Sequence, residues 1–168
     1  MARIRQLSEH ITNMIAAGEV VERPMGIVKE CVENSIDAHA SHIEVHIQDG
    51  GLSKITIIDD GDGMDKDDAI LAFKRHASSK LLDEYQLFKI KTMGFRGEAL
   101  ASIAAVAEVE LRTRREEDEL GTMTTMAGGE FRSQVPVSCS RGSQFIVRNL
   151  FYNVPSRRKF IDGDNSRL

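Results

Sequence analysis

Apolar residues recur with helical spacing at Ile4, Leu7, Ile11, Met14 and Ile15, and Ala16-Ala17-Gly18 then closes a short leading helix. The run from Glu19 to Ala38 predicts the main helix, with Pro24 in its first turn and Gly26 as the only breaker after Met25. At about 100° per residue, Glu30, Asn34 and Asp37 fall within roughly 60° of one another, while Val28, Cys31, Val32 and Ile36 lie opposite. One face packs, and the other carries carboxylates and an amide. Ile43, Val45 and Ile47 alternate with His42, Glu44, His46 and Gln48, the pattern of a strand with one buried face. Asp49-Gly50-Gly51 turns the chain toward a hairpin partner from Lys54 to Ile58. Asp65 can cap a helix that runs through Ile70, Leu71 and Phe73 to about Arg75. Periodicity fades from His76 to Gly97, a connection of the length that is usually functional. Ala99 to Ala107 then predicts a small-residue helix. Three or four strands follow, Glu108 to Arg114, Thr122 to Ala127, Glu130 to Val137 and Gln144 to Leu150. This order gives an α+β class, a two-layer sandwich with helices on one face of a mixed, largely antiparallel sheet.

Composition narrows the function classes. The chain has 168 residues, 41% hydrophobic and 29% charged, enough for one sizeable core, and no apolar run approaches the ~20 residues that cross a bilayer. The amino terminus lacks a continuous apolar stretch and a cleavage site, so no secretory signal is expected and the cytoplasm is the default location. Cys31 and Cys139 read as buried thiols. A formal charge of -4 argues against wrapping nucleic acid over the whole surface. From Arg141 onward, however, six basic residues face two acidic ones, which leaves -8 on the first 140. Only that end can attract a polyanion.

The chemistry is assembled from separate pieces. No G-x-x-x-x-G-K-[ST] occurs, and Gly61 and Gly63 do not extend to a dinucleotide fingerprint. A calcium loop starting at Asp60 fails, because Met64, Asp65 and Leu71 fall where a ligand, glycine and glutamate are needed. His42, Glu44 and His46 share a strand face, for which solvent exposure is a simpler account than a metal site. Asp59, by contrast, ends a buried strand and can accept a hydrogen bond from the exocyclic amine of a base, adenine above all. Gly61 and Gly63 let the backbone approach the ring. Asn34 offers a neutral oxygen to a hard cation such as Mg²⁺, and Glu30, one turn away, can deprotonate a water attacking a terminal phosphate. The helix start near Gly97 presents backbone N–H groups to an anion. Together the pieces describe an ATPase.

The stretches IAAGEVVERP, KECVENSIDA, DDGDGM, HASSK, GFRGEAL and LFYNVPSRRKF resemble the GHKL ATPases, and within them the MutL mismatch-repair family, over nearly the whole chain. The E-x-x-x-N and D-x-G-x-G pieces are shared with gyrase B, heat-shock chaperones and histidine kinases, whereas IAAGEVVERP with GFRGEAL is specific to MutL-like proteins. The resemblance implies a Bergerat-type sandwich over residues 1–168, with a mobile ATP lid at 76–97. It implies Glu30 as general base, Asn34 as Mg²⁺ ligand, and Asp59 as the adenine-binding carboxylate. Ala38, Gly63 and Met64 fall at the base pocket, and Ser78, Ser79 and Lys80 where the family contacts nucleotide. Phe95, Arg96, Gly97, Glu98, Ala99 and Leu100 match the phosphate-binding end of the lid, and Ser143 the hydroxyl of a Gly-Thr pair.

Four residues depart from the family pattern: Asp60 for Asn, His39 for Gly, and Ser78 and Ser143 for Thr. Asp60 is expected to add negative charge near the site. The resemblance further implies ATP and Mg²⁺ as cofactors and slow hydrolysis. It implies that ATP orders the lid and drives homodimerisation through the N-terminal domain. The implied partners are a mismatch-recognition protein, other repair factors and, in the full-length protein, DNA, but no membrane. The family's transducer and C-terminal dimerisation domains are expected to lie outside this chain. That expectation leaves open an alternative, a nucleotide-binding or interaction module without turnover of its own.

Overall fold

The computed structural model describes residues 23–74 and 99–159. Helix α1 (Pro24–Asp37) opens the described chain, with Pro24 in its first turn as its fixed φ favours. Strands β1 (Ile43–Gln48) and β2 (Lys54–Asp59) form the expected antiparallel hairpin. A Cβ on Gly51, in the hairpin turn, would lie 2.6 Å from the Pro24 side chain, so this turn packs on the start of α1. Helix α2 (Lys66–Leu71) is capped by Asp65, whose carboxylate accepts the Asp68 N–H at 2.8 Å. Helix α3 (Ala99–Ala105) precedes β3 (Glu108–Arg114), β4 (Gly121–Ala127), β5 (Glu130–Val137) and β6 (Gly142–Arg148).

Among the described residues the sheet has six strands in the order β1-β2-β6-β3-β4-β5, and every neighbouring pair is antiparallel. The sheet, expected to be mixed and largely antiparallel, is antiparallel throughout the described residues. Register aligns Ile57 with Phe145 and Leu111, and Ile55 with Val147 and Val109, so one face of the central strands is continuously apolar. Ile27 and Cys31 of α1 and Leu100, Ile103 and Ala104 of α3 belong to the same buried cluster. This is the α+β sandwich expected from the pattern.

Four expectations shift. The buried stripe of α1 is Pro24, Ile27, Cys31 and Ser35, and Ile36 is 59% exposed. Val45 and Ile47 on β1 are likewise open. The cause is common to both: α1 lies mainly across β2, and β1 is the sheet's edge. Strand β6 stops at Arg148 rather than Leu150, because Asn149 (φ 53°) and Phe151 (φ 63°) leave the extended region. Helix α2 ends at Leu71, which turns the buried Phe73 ring onto Phe145 with centroids 6.4 Å apart.

Among the described residues, several cations of the basic carboxy-terminal end have partners within the fold. An Arg158 guanidinium N–H donates to the Leu150 carbonyl at 2.6 Å and the Leu52 carbonyl at 3.3 Å. Arg157 sits over the Phe151 ring, and Arg148 pairs with Glu110 at 3.5 Å. These cations are shared with internal partners, which weakens the case for a polyanion site there. Among the described residues no helix is long and apolar enough to cross a membrane.

Candidate functional site

The last two turns of α1, the end of β2 and the start of β6 enclose a pocket of ≈ 730 Å³ including its open mouth. Its floor is apolar, built from Ile57, Met64, Leu100, Leu111 and Phe145. Of the residues expected at the site, the pocket gathers Asn34, Ala38, Asp59, Gly63, Met64, Leu100 and Ser143. Ala99 is buried at the start of α3 without lining it. Glu30 is half-buried on α1, one turn before Asn34 and outside the lining residues. Ser78, Ser79, Lys80, Phe95, Arg96, Gly97 and Glu98, and the expected lid at 76–97, lie outside the described residues.

Asp59 is held from two sides. Its Oδ2 accepts the Ser35 hydroxyl at 2.7 Å, and its Oδ1 accepts the Gly61 N–H at 2.9 Å. A carboxylate oxygen has two lone pairs, so each keeps one for a ligand. Ser35 belongs to the buried stripe of α1 for this reason. The sequence reading passed over it, although Ile27, Cys31 and Ser35 at i, i+4 and i+8 carried the signal.

The DGDGM loop is pressed onto its neighbours. The Asp62 N–H donates to the Ala38 carbonyl at 2.8 Å, and a Cβ on Gly61 would stand 2.7 Å from that oxygen. Gly63 has φ 69°, and a Cβ there would overlap the Arg114 carbonyl oxygen. The Met64 N–H donates to Thr113 Oγ1 at 3.0 Å. At the mouth, His39 Nδ1 lies 2.7 Å from Asp62 Oδ2, and Arg141 Nε donates to the Gly61 carbonyl at 3.1 Å.

The Asn34 side-chain oxygen is buried with no hydrogen-bond partner among the described residues. An orphaned buried carbonyl oxygen is a costly arrangement without a ligand, and a neutral hard oxygen suits Mg²⁺. Cys31 also lines the pocket; burial, with the Glu30 carboxylate second, pushes its thiol up so that it stays protonated at neutral pH.

Asp60, expected to add negative charge near the site, is anchored next to the pocket residue Asp59. Its carboxylate faces the loop between α1 and β1, accepting the His42 N–H at 2.9 Å and the Ser41 N–H and hydroxyl at 2.8 Å each. The His42 N–H first, then the Ser41 hydroxyl, holds its carboxyl below the usual carboxylate range. A depressed value in the folded state means that Asp60 stabilises the fold above the ordinary carboxylate pKa, and that this contribution disappears as pH falls through the depressed value. The urea midpoint of Asp60→Asn should therefore sit below that of the unaltered chain by a constant interval above about pH 5, and the interval should shrink below about pH 4. An interval unchanged at pH 3 would remove this role.

Residues 22–134 match the family described as histidine kinase-, DNA gyrase B-, and HSP90-like ATPase. Over 165 residues the chain is 56% identical to the DNA mismatch repair protein MutL of Phocaeicola vulgatus, covering 98% of this chain and 26% of that protein. Over 168 residues it is 53% identical to MutL of Bacillus cytotoxicus, covering all of this chain and 26% of the relative. Among solved structures, the N-terminal domain of a DNA repair protein superposes with a TM-score of 0.75 at 32% identity, covering 93% of this chain and 45% of that one. The Aquifex aeolicus MutL ATPase domain complexed with ADP gives 0.66 at 30% identity, covering 88% and 52%. The chain spans about a quarter of the length of the curated relatives it matches.

Proposed function

This chain belongs to the histidine kinase-, DNA gyrase B- and HSP90-like ATPases, and from that membership we propose that it is the ATP-binding, slowly ATP-hydrolysing module of a MutL-type DNA mismatch repair protein. One arrangement carries the reading: a carboxylate with free lone pairs, Asp59, at the edge of an apolar pocket that a planar base fits, beside the unpaired Asn34 oxygen. Asp59 accepts the amino group of adenine while Ala38, Gly63 and Met64 enclose the ring. Asn34 holds Mg²⁺, which neutralises phosphate charge when bound. Glu30 orients a water and takes its proton.

Ser78, Ser79, Lys80 and the segment from Phe95 to Leu100 contribute nucleotide contacts, with 76–97 as the lid that ATP orders. Lid ordering then promotes homodimerisation through this domain. In the longer protein a mismatch-recognition protein, other repair factors and DNA are the partners, in a bacterial cytoplasm. The span of this chain, about a quarter of the length of its relatives, favours a second reading, nucleotide binding without turnover by this chain alone.

The Mg²⁺ part is tested at Asn34. Calorimetric titrations of ATP with Mg²⁺ and with chelator should show affinity rising with the metal in the unaltered chain. In Asn34→Ala the metal-bound affinity should fall about tenfold and the response to Mg²⁺ should vanish. An undiminished Mg²⁺ response in that variant would reassign the ligand.

A further inference from the structure

We infer that Thr113 is a positioning residue that fixes the direction of the Ser143 hydroxyl and so sets which base the pocket accepts; the inference rests on the ATP-binding reading above. The register places Asp59 of β2, Ser143 of β6 and Thr113 of β3 opposite one another, one cross-strand row on the pocket side of the sheet. Asp59 and Ser143 line the pocket, and Thr113 is fully buried behind them.

Thr113 Oγ1 has three polar neighbours. It accepts the Met64 N–H at 3.0 Å, donates to the Gly142 carbonyl at 2.9 Å, and lies 2.9 Å from Ser143 Oγ. A hydroxyl carries one proton and two acceptor sites. Thr113 gives its proton to Gly142, so the bond between the two hydroxyls takes its proton from Ser143. Ser143 is then left with lone pairs toward the pocket. Both Asp59 oxygens are acceptors already bound to donors behind them. The base-reading wall therefore consists of acceptors, matched to a base that presents an amino group and mismatched to one that presents a carbonyl. Thr113 also ties the DGDGM loop to the start of β6 through Met64 and Gly142, which keeps the two sides of that wall in register.

The test compares ATP with inosine triphosphate, whose base has a carbonyl in place of the adenine amino group. Both are titrated calorimetrically against the full chain and against Thr113→Val, Thr113→Ser and Ser143→Ala. Valine keeps the shape and releases the Ser143 proton, so the preference for ATP should fall about tenfold. Serine restores the hydroxyl and should keep the preference within about twofold. In Ser143→Ala, adding Thr113→Val should change the preference no further, the mark of one residue acting through the other. A role in stability alone weakens both nucleotides equally; an unchanged ratio in Thr113→Val, or in Thr113→Ala if valine is not accommodated, overturns the inference while leaving ATP binding intact. Failure of the unaltered chain to bind either nucleotide overturns the ATP reading and this inference together.

Discussion

Glu30→Ala is expected to lower ATP turnover by roughly 10²–10⁴-fold, the contribution of a positioned general base, while leaving Mg-ATP binding within about twofold. The split follows from placement. Glu30 stands one turn from Asn34 on the same face of α1, so a water near a terminal phosphate held beside Asn34 comes within its reach, while the base pocket lies beyond the other end of that face. Removing the carboxylate takes away an interaction made in the transition state and no contact to the base. Single-turnover hydrolysis and equilibrium binding on the same preparation separate the two quantities. Turnover unaffected by the substitution would place the base elsewhere. No turnover by the unaltered chain would support the reading of a binding module that needs further parts of a longer protein.

The second large effect belongs to Asp59. In Asp59→Asn the backbone Gly61 N–H requires an acceptor, so the amide oxygen stays toward Gly61 and the NH₂ turns to Ser35, whose hydroxyl can reverse to accept it. The local hydrogen bonds survive this exchange, at a cost on the order of 1 kcal/mol. The face offered to the base does not survive it, because a donor now stands where an acceptor stood and the negative charge is gone. ATP affinity should fall about 100-fold, or roughly 3 kcal/mol, with the unfolding midpoint nearly unchanged. A comparable loss of stability would show that Asp59 acts as a structural tie instead.

What could be read in the sequence follows from which interactions are local. The strands, the hairpin at Asp49–Gly51 and the Asp65 cap depend on alternation, turn glycines and a single side chain, all visible in short windows. The motif positions Asn34, Asp59, Gly63, Met64 and Ser143 line one pocket. The face of α1 was misjudged because hydrophobicity alone favours Ile36 over Ser35, and the Ser35 partner lies 24 residues away on β2. Asp60 was expected to add negative charge near the site; backbone N–H groups of the loop between α1 and β1 bind its carboxylate, a contact that spacing does not encode. Thr113 went unnoticed for the same reason: its three partners lie 29, 30 and 49 residues away, and only strand register brings them to one hydroxyl.

The measurement that bears most directly on the account is calorimetric titration of Mg-ATP into the 168-residue chain, beside Asp59→Asn. Saturable binding, weakened about 100-fold by the single substitution, is the expected result. Absence of saturable binding, or binding indifferent to Asp59, would contradict the claim that this pocket receives the adenine of ATP.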